Sequence, residues 1–180
     1  MVLLKQNISP SVDNIKDFYP EFVNQYKDLL NFLIQELGPR WSFYFRPHLN
    51  GLCPDIVLLH PEKGIQVINF YSKDSTSSLL REFRNLLSIK EMITEIYSPR
   101  MRLFFLELKN SPFGRNNPLI SVCLVVPNLS KDKISEALKV ELENNKITTK
   151  TSKKYYPILS KESIQNLDIH EFVPMTKYPK

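Results

Sequence analysis

Polar side chains stand at the facing ends of two adjacent strand patterns in the middle of the chain. Asp55 precedes the apolar run 56–60, and Asn69 and Tyr71 lie at the end of the run 65–71. A carboxylate and an amide carbonyl both offer oxygen ligands to Mg²⁺. Side chains two residues apart on a strand share a face, so Asn69 and Tyr71 are expected on one side. Asp55 with Asn69 alone predicts only a weak Mg²⁺ site, because the amide is neutral.

Several other kinds of chemistry lack their sequence motifs. The chain has no Cys/His cluster with zinc spacing, no Gly-x-Ser-x-Gly and no Gly-x-x-x-x-Gly-Lys loop. Its two cysteines, Cys53 and Cys123, are far apart in sequence and flanked by apolar residues. We expect both to be reduced thiols in the core of a cytoplasmic protein.

Length, charge and hydropathy are those of a globular protein. With 180 residues, 42% of them hydrophobic, the chain can form one domain with a sizeable core, with or without a small appendage. No apolar run reaches the roughly 20 residues of a membrane span, and the first residues are too short for a signal peptide. Residues 146–180 contain seven lysines and three acidic residues, so this basic segment either attracts phosphate backbones or is simply a solvated surface.

Hydrophobic periodicity predicts how these residues are positioned. Apolar residues at helical spacing predict three helices, at 20–37, 79–97 and 130–144. Short apolar runs predict strands at 41–45, 55–60, 65–71, 101–108, 119–126 and 155–159. The turn at 61–64 makes a hairpin of the second and third strands. The order helix, three strands, helix, strands, helix predicts an α/β fold with a mixed central sheet flanked by helices.

The same patterns suggest three segments of different character. Residues 1–18 are expected to be a polar N-terminal lead-in, and residues 19–130 to contain the core. Residues 131–180 are expected to form a helical and basic C-terminal extension.

The segment 43–65, with its Pro54-Asp55 pair, resembles the nuclease-related (NERD) domain of the PD-(D/E)XK nuclease-like superfamily. The likeness is greatest to the versions found at the N-terminus of superfamily-1 DNA helicases. Tyr97-Ser98-Pro99-Arg100-Met101 is similar to that family's Tyr-Cys-Pro-Arg-Leu, and residues 122–127 are similar to its following strand and proline. The resemblance covers roughly residues 20–160 and implies a restriction-endonuclease-like sandwich.

The resemblance also implies a chemistry and shows where this sequence departs from it. In the family the Pro-Asp pair starts one strand, and the next strand ends in Glu-x-Lys. The two carboxylates bind Mg²⁺, which activates water, and the lysine orients the nucleophile or offsets charge. Here Asp55 is kept, but Asn69 replaces the glutamate and Tyr71 the lysine. The resemblance therefore implies a degenerate site in which catalysis by the usual route is lost.

Three features would repair the degenerate site. Lys73 lies two residues beyond Tyr71 and would share its face if the strand continued, so it is the leading substitute for the missing lysine. Glu21 matches the family's N-terminal acidic position and would be an additional, weak Mg²⁺ ligand, or only a charge in the first helical turn. Glu107-Leu108-Lys109 is itself a Glu-x-Lys, but at a place where the family has no such motif.

Basic and polar residues near these positions are candidates for contacts with DNA. Arg46, His48 and Asn50 lie in the loop before Asp55 and would either shape the mouth of the site or stabilise the turn. On the long helix, Arg81 and Arg84 share a face, and Lys90 does so only loosely. These three side chains would either contact a phosphate backbone or form an exposed charged face.

Three functions follow as hypotheses. The first is an impaired nuclease-fold domain that binds DNA, or serves a fused or associated helicase or a defence or repair system. The second is an active Mg²⁺-dependent DNA endonuclease that uses Asp55 and a migrated Lys73. The third is a structural protein-interaction module without affinity for nucleic acid, since a fold does not fix a function.

Overall fold

The fold follows the alternation of helices and strands expected from the sequence. A computed structural model describes residues 7–10, 12–61, 64–104, 120–148, 155–166 and 169. The strands are β1 (Asn7–Ser9), β2 (Ser42–Phe45), β3 (Ile56–His60), β4 (Gly64–Phe70), β5 (Ile120–Val125) and β6 (Ile158–Leu159). The helices are α1 (Val12–Phe18), α2 (Pro20–Leu37), α3 (Leu79–Phe104), α4 (Lys131–Asn144) and α5 (Lys161–Gln165).

The six strands form one mixed sheet in chain order. β2, β3 and β4 are antiparallel neighbours, and the β3–β4 hairpin pairs Ile56 with Ile68. β5 lies parallel to β4, and β6 lies parallel to β5. Parallel neighbours require a crossover connection, and the connection from β4 to β5 contains α3. The predicted α/β class, with a mixed sheet flanked by helices, is confirmed.

Each face of the sheet is covered by its own helices. Because side chains alternate along a strand, Val67 and Ile68 of β4 belong to opposite faces. Ile68 packs in a cluster with Tyr26, Leu29 and Leu33 of α2, whereas Val67 packs in a cluster with residues of α3 and α4. All six residues of β5 are buried, as expected for a central parallel strand.

The termini belong to the same sheet as the central segment. Residues 7–18 were expected to be a polar lead-in, but they contain β1 and α1, and β1 pairs with β2. Ile15 of α1 is buried in the cluster under α2. Within the predicted C-terminal extension, β6 pairs with β5 and Leu138 of α4 is buried. The described parts of both terminal segments therefore pack with the central segment on one sheet, Ile15 in the cluster on one face and Leu138 in the cluster on the other.

Two local predictions were wrong. The Ser98-Pro99 pair was expected to end the long helix, yet α3 continues to Phe104 and takes up the first residues of the predicted strand 101–108. Proline removes one helical hydrogen bond and crowds the preceding turn, and this penalty does not end α3. Cys53 is exposed and not a core thiol, whereas Cys123 is buried as expected.

Some predicted features lie outside the described residues. They include the Glu107-x-Lys109 motif and most of the basic segment 146–180. Among the helices that the structure describes, none is long and apolar enough to cross a membrane.

Candidate functional site

Asp55 is held by hydrogen bonds at the junction where β3 begins and β4 ends. Its carboxylate Oδ2 accepts a hydrogen bond of 2.9 Å from the backbone N–H of Phe70. In return, the backbone N–H of Asp55 donates to Oδ1 of Asn69 at 3.3 Å. The antiparallel hairpin brings these residues together, because its register continues from the Ile56–Ile68 pair. The structure thus places Asp55 beside Asn69, as the sequence predicted.

Arg46 holds the other side of the Asp55 carboxylate. Its backbone N–H donates to the Asp55 carbonyl at 2.8 Å, and its Nε lies 3.6 Å from Oδ1. The 3.6 Å contact is an ion pair but too long for a hydrogen bond. The guanidinium carbon also lies 5.0 Å from the centre of the Tyr19 ring, within cation–π range. Arg46, expected at the mouth of the site, therefore lies directly against its acid.

Burial dominates the electrostatics of Asp55. Only 17% of its side chain is exposed, and this burial raises the pKa of the carboxyl above its usual value. The Phe70 N–H and the Arg46 charge act in the opposite direction, and the negative charge of Glu82 adds to the rise in pKa. Desolvation of the charged form therefore outweighs the two favourable contacts.

A cavity of about 520 Å³ opens beside Asp55 on the α2 face of the sheet. Glu21, in the first turn of α2, lines it together with Asp55 and Arg46. The two acids proposed as Mg²⁺ ligands are therefore brought into one cavity. No group of three His, Cys, Asp or Glu side chains suited to a metal ion occurs among the described residues.

Tyr26 is a residue of this cavity that sequence analysis missed. Its periodicity assigned it to the apolar stripe of α2, where it is indeed buried, with its ring 4.2 Å from that of Phe70. However, its hydroxyl is buried without a hydrogen bond of ordinary geometry. Burial raises the pKa of Tyr26; the hydroxyl of Ser72 lowers it and the charge of Asp55 raises it further. A polar tip on an apolar stripe was the only signal in the sequence.

Tyr71 and Lys73 both contact Ser78, and neither lines the Asp55 cavity. Tyr71 is buried in the cluster under α3, where its hydroxyl donates to the Ser75 carbonyl at 2.6 Å and lies 3.1 Å from the Ser78 hydroxyl. Lys73 Nζ donates to the same Ser78 oxygen at 3.0 Å. By contrast, Phe70 and Ser72 line the cavity. Tyr71, at the position expected to carry the lysine, therefore lies on the α3 face, whereas the cavity lies on the α2 face.

His48 and Asn50, the other two residues expected at the mouth of the site, lie in the loop before β3. Both residues are exposed, and a short antiparallel bridge joins Leu49 to Leu52 around Asn50. Asn50 has a φ of 48°, a left-handed conformation that asparagine tolerates in turns. This geometry accounts for Asn50 as a turn residue.

The three basic residues of α3 do not form one face. Arg81 is exposed, and Arg84 makes a 2.7 Å ion pair with Glu141 of α4. Lys90 is only 1% exposed, so its predicted place on a charged surface was wrong. Residues 83, 86, 90 and 93 follow one another at helical spacing, and this apolar stripe carries Lys90 into the interior.

Comparison with known proteins does not identify the chain. No family model, no curated protein and no solved structure matches it. The resemblance drawn from the Pro-Asp segment therefore stays a prediction.

Proposed function

We propose that this chain is a nuclease-fold domain that binds DNA and is impaired in hydrolysis, acting as an accessory to a helicase or to a defence or repair system. One observation carries the proposal: the Asp55 carboxylate is held at the β3–β4 junction and shares a cavity with Glu21. This is the arrangement that the resemblance to the nuclease-related domain implies for a site of phosphodiester chemistry. The proposal therefore depends on both the sequence motif and the position of the acid.

The proposed impairment follows from the contacts of each site residue. Asp55 already accepts the Phe70 N–H and lies against the positive charge of Arg46. Asn69 adds a neutral oxygen, which is engaged by the Asp55 N–H. If Mg²⁺ binds here, Asp55 and Glu21 are the residues that would hold it, and the ion would activate a water molecule. Two carboxylates with a competing arginine support a weak site at most.

DNA affinity is proposed from one cation in the cavity, from an exposed arginine elsewhere on the surface and from the overall charge. Arg46 lines the cavity, and Arg81 is exposed on α3. The chain carries a formal net charge of +5. Phosphate contacts of this kind give binding that weakens as salt displaces the released counterions. The active-endonuclease hypothesis is less favoured, because Lys73 Nζ is hydrogen-bonded to the Ser78 hydroxyl and does not line the cavity.

The decisive experiment titrates a labelled duplex and a labelled single strand at low and moderate salt, with and without Mg²⁺ or Mn²⁺. We expect salt-sensitive binding and no cleavage. Metal-dependent cleavage that Asp55→Ala abolishes would establish the active enzyme instead. No binding at low salt would leave the protein-interaction module.

Restoring the missing groups tests the scaffold, and the structure offers a matched pair of variants. Asn69→Glu with Tyr71→Lys restores the motif in sequence, whereas Asn69→Glu with Ser72→Lys places the lysine at a position after β4 that lines the cavity. We expect metal binding, measured by calorimetry, to gain more from the second pair. Equal results from both pairs would mean that position 72 has no advantage.

A further inference from the structure

Lys90 lies in the interior on the opposite face of the sheet from Asp55, and its amine has no ordinary partner. The residue is 1% exposed, and its Nζ makes no hydrogen bond to the part of the chain that the structure describes. Two aromatic rings from the segment before β6 surround the amine, with Tyr156 4.0 Å and Tyr155 5.0 Å from Nζ. A buried amine without a hydrogen-bonding acceptor is unusual, because lysine is almost never fully buried unless it is paired.

The surroundings of the amine favour its neutral form. Burial lowers the pKa of Lys90 to about 7. The two ring faces lie within cation–π range of Nζ and act in the opposite direction, because they favour the ammonium form. The charged and titratable groups around it are Glu91 and Glu95 on α3 and the two tyrosines. At pH 7 roughly half of the Lys90 amines are neutral, against about one in 2,500 for an exposed lysine. A neutral amine has a free lone pair and is a nucleophile.

A cavity of about 350 Å³ lies against this side chain. Its walls combine apolar surface from Leu87, Ile147 and Tyr156 with the side chain of Lys90 itself. Glu91 and Glu95 also line it, and both are exposed, so the mouth carries negative charge. Such a mouth repels anionic ligands and admits small uncharged ones. The four-carbon stem of lysine is flexible, which allows the amine to swing from the rings into the cavity.

We propose that Lys90 is a carbonyl-reactive amine and that the cavity beside it takes small, uncharged aldehydes. The amine nitrogen adds to the carbonyl carbon, and a carbinolamine forms. The carbonyl oxygen then leaves as water with the two hydrogens of the amine, and a C=N bond remains between Lys90 and the ligand. This reaction needs no oxidant or reductant. The site is separate from the Asp55 cavity and does not depend on the function proposed there.

The test treats the full chain with propanal at pH 7 and traps the imine with cyanoborohydride, which reduces it to a stable secondary amine. Peptide mapping by mass spectrometry then compares Lys90 with Lys139, an exposed lysine of α4. We expect Lys90 to react about 10-fold faster or more, a fraction of the roughly 10³-fold difference in neutral amine, because Lys90 must swing to react. At pH 10 the preference should fall sharply, since about a quarter of exposed amines are then also neutral.

Two further measurements keep the proposal falsifiable. Denaturing the chain in urea should abolish the preference for Lys90. Replacing propanal by the anionic aldehyde glyoxylate should slow the reaction at Lys90, and Glu91→Gln with Glu95→Gln should restore part of that loss. Labelling of Lys90 no faster than Lys139 at pH 7, or a preference that survives in urea, would overturn the proposal.

Discussion

Asp55 and Lys90 are both buried ionisable residues beside a cavity, but they differ in the partners that contact the ionisable group. Asp55 keeps two partners, the Phe70 N–H and the Arg46 guanidinium. Lys90 has ring faces but no hydrogen-bond acceptor. Desolvation shifts the pKa of both groups toward the neutral form. At Asp55 a hydrogen bond and a positive charge oppose this shift, whereas at Lys90 the groups seen to oppose it are two ring faces. Lys90 is also the more deeply buried of the two. The two sites therefore differ both in depth and in the kind of partner that stabilises the charged form.

Removing the Lys90 amine should have the largest effect on stability. Lys90→Met keeps most of the apolar volume and removes a group that must lose its proton or be buried as a charge. We expect a gain on the order of 3 kcal/mol in the free energy of unfolding at pH 6. The unfolded chain binds the proton up to about pH 10.4, and the folded chain releases it near pH 7. Wild-type stability therefore rises with pH across this window.

Urea denaturation at pH 6 and pH 10 measures this dependence. The gain from Lys90→Met should be greatest below pH 7 and should shrink as the pH approaches 10.4. A gain of the same size at both pH values would mean that the amine is not the cause.

Removing the Asp55 carboxylate should have an effect of opposite sign. Asp55→Ala leaves the Phe70 N–H without its acceptor and Arg46 without its counter-charge. We expect a loss of about 2 kcal/mol in the free energy of unfolding, measured in urea at pH 7. Asp55→Asn is the matched control, because its amide oxygen can still accept from Phe70, and it should lose less. If the alanine and asparagine variants were equally stable, the hydrogen bond from the Phe70 N–H to the side chain at position 55 would not contribute to stability.

Two tyrosines should show the smallest but clearest contrast. Tyr71→Phe removes a hydroxyl that donates to Ser75 and contacts Ser78, so it should cost about 1 kcal/mol in the free energy of unfolding. Tyr26→Phe removes a buried hydroxyl without a hydrogen bond of ordinary geometry, so stability should be unchanged or slightly higher. The two variants lose the same atom, and urea midpoints compare them directly. A larger loss from Tyr26→Phe would show that its hydroxyl has a stabilising partner.

Much of the fold was readable from the sequence because its signals are local. The apolar runs at 56–60 and 65–71, with a turn between them, predicted the β3–β4 hairpin that the structure contains. The run 119–126 predicted a buried strand, and β5 is buried throughout. The end of α3 was not predicted correctly, because Pro99 was expected to end the helix and the helix continues to Phe104. The lead-in was also misjudged, since a three-residue edge strand such as β1 has too few residues for a pattern.

The sequence by itself determined the order of elements, the proximity of Asp55 to Asn69, and the side chains that stand in place of an acid and a lysine. Only the tertiary structure decided which face each group serves. The alternation of side chains along a strand predicts that residues 69 and 71 share a side. Packing against α3 places the Tyr71 hydroxyl beside Ser78, and Ser72 lines the cavity instead. Likewise, helical spacing places Lys90 on a stripe, but residues 65 positions later supply the rings that surround its amine. Charge state depends on such distant neighbours, because desolvation is set by everything packed around a group.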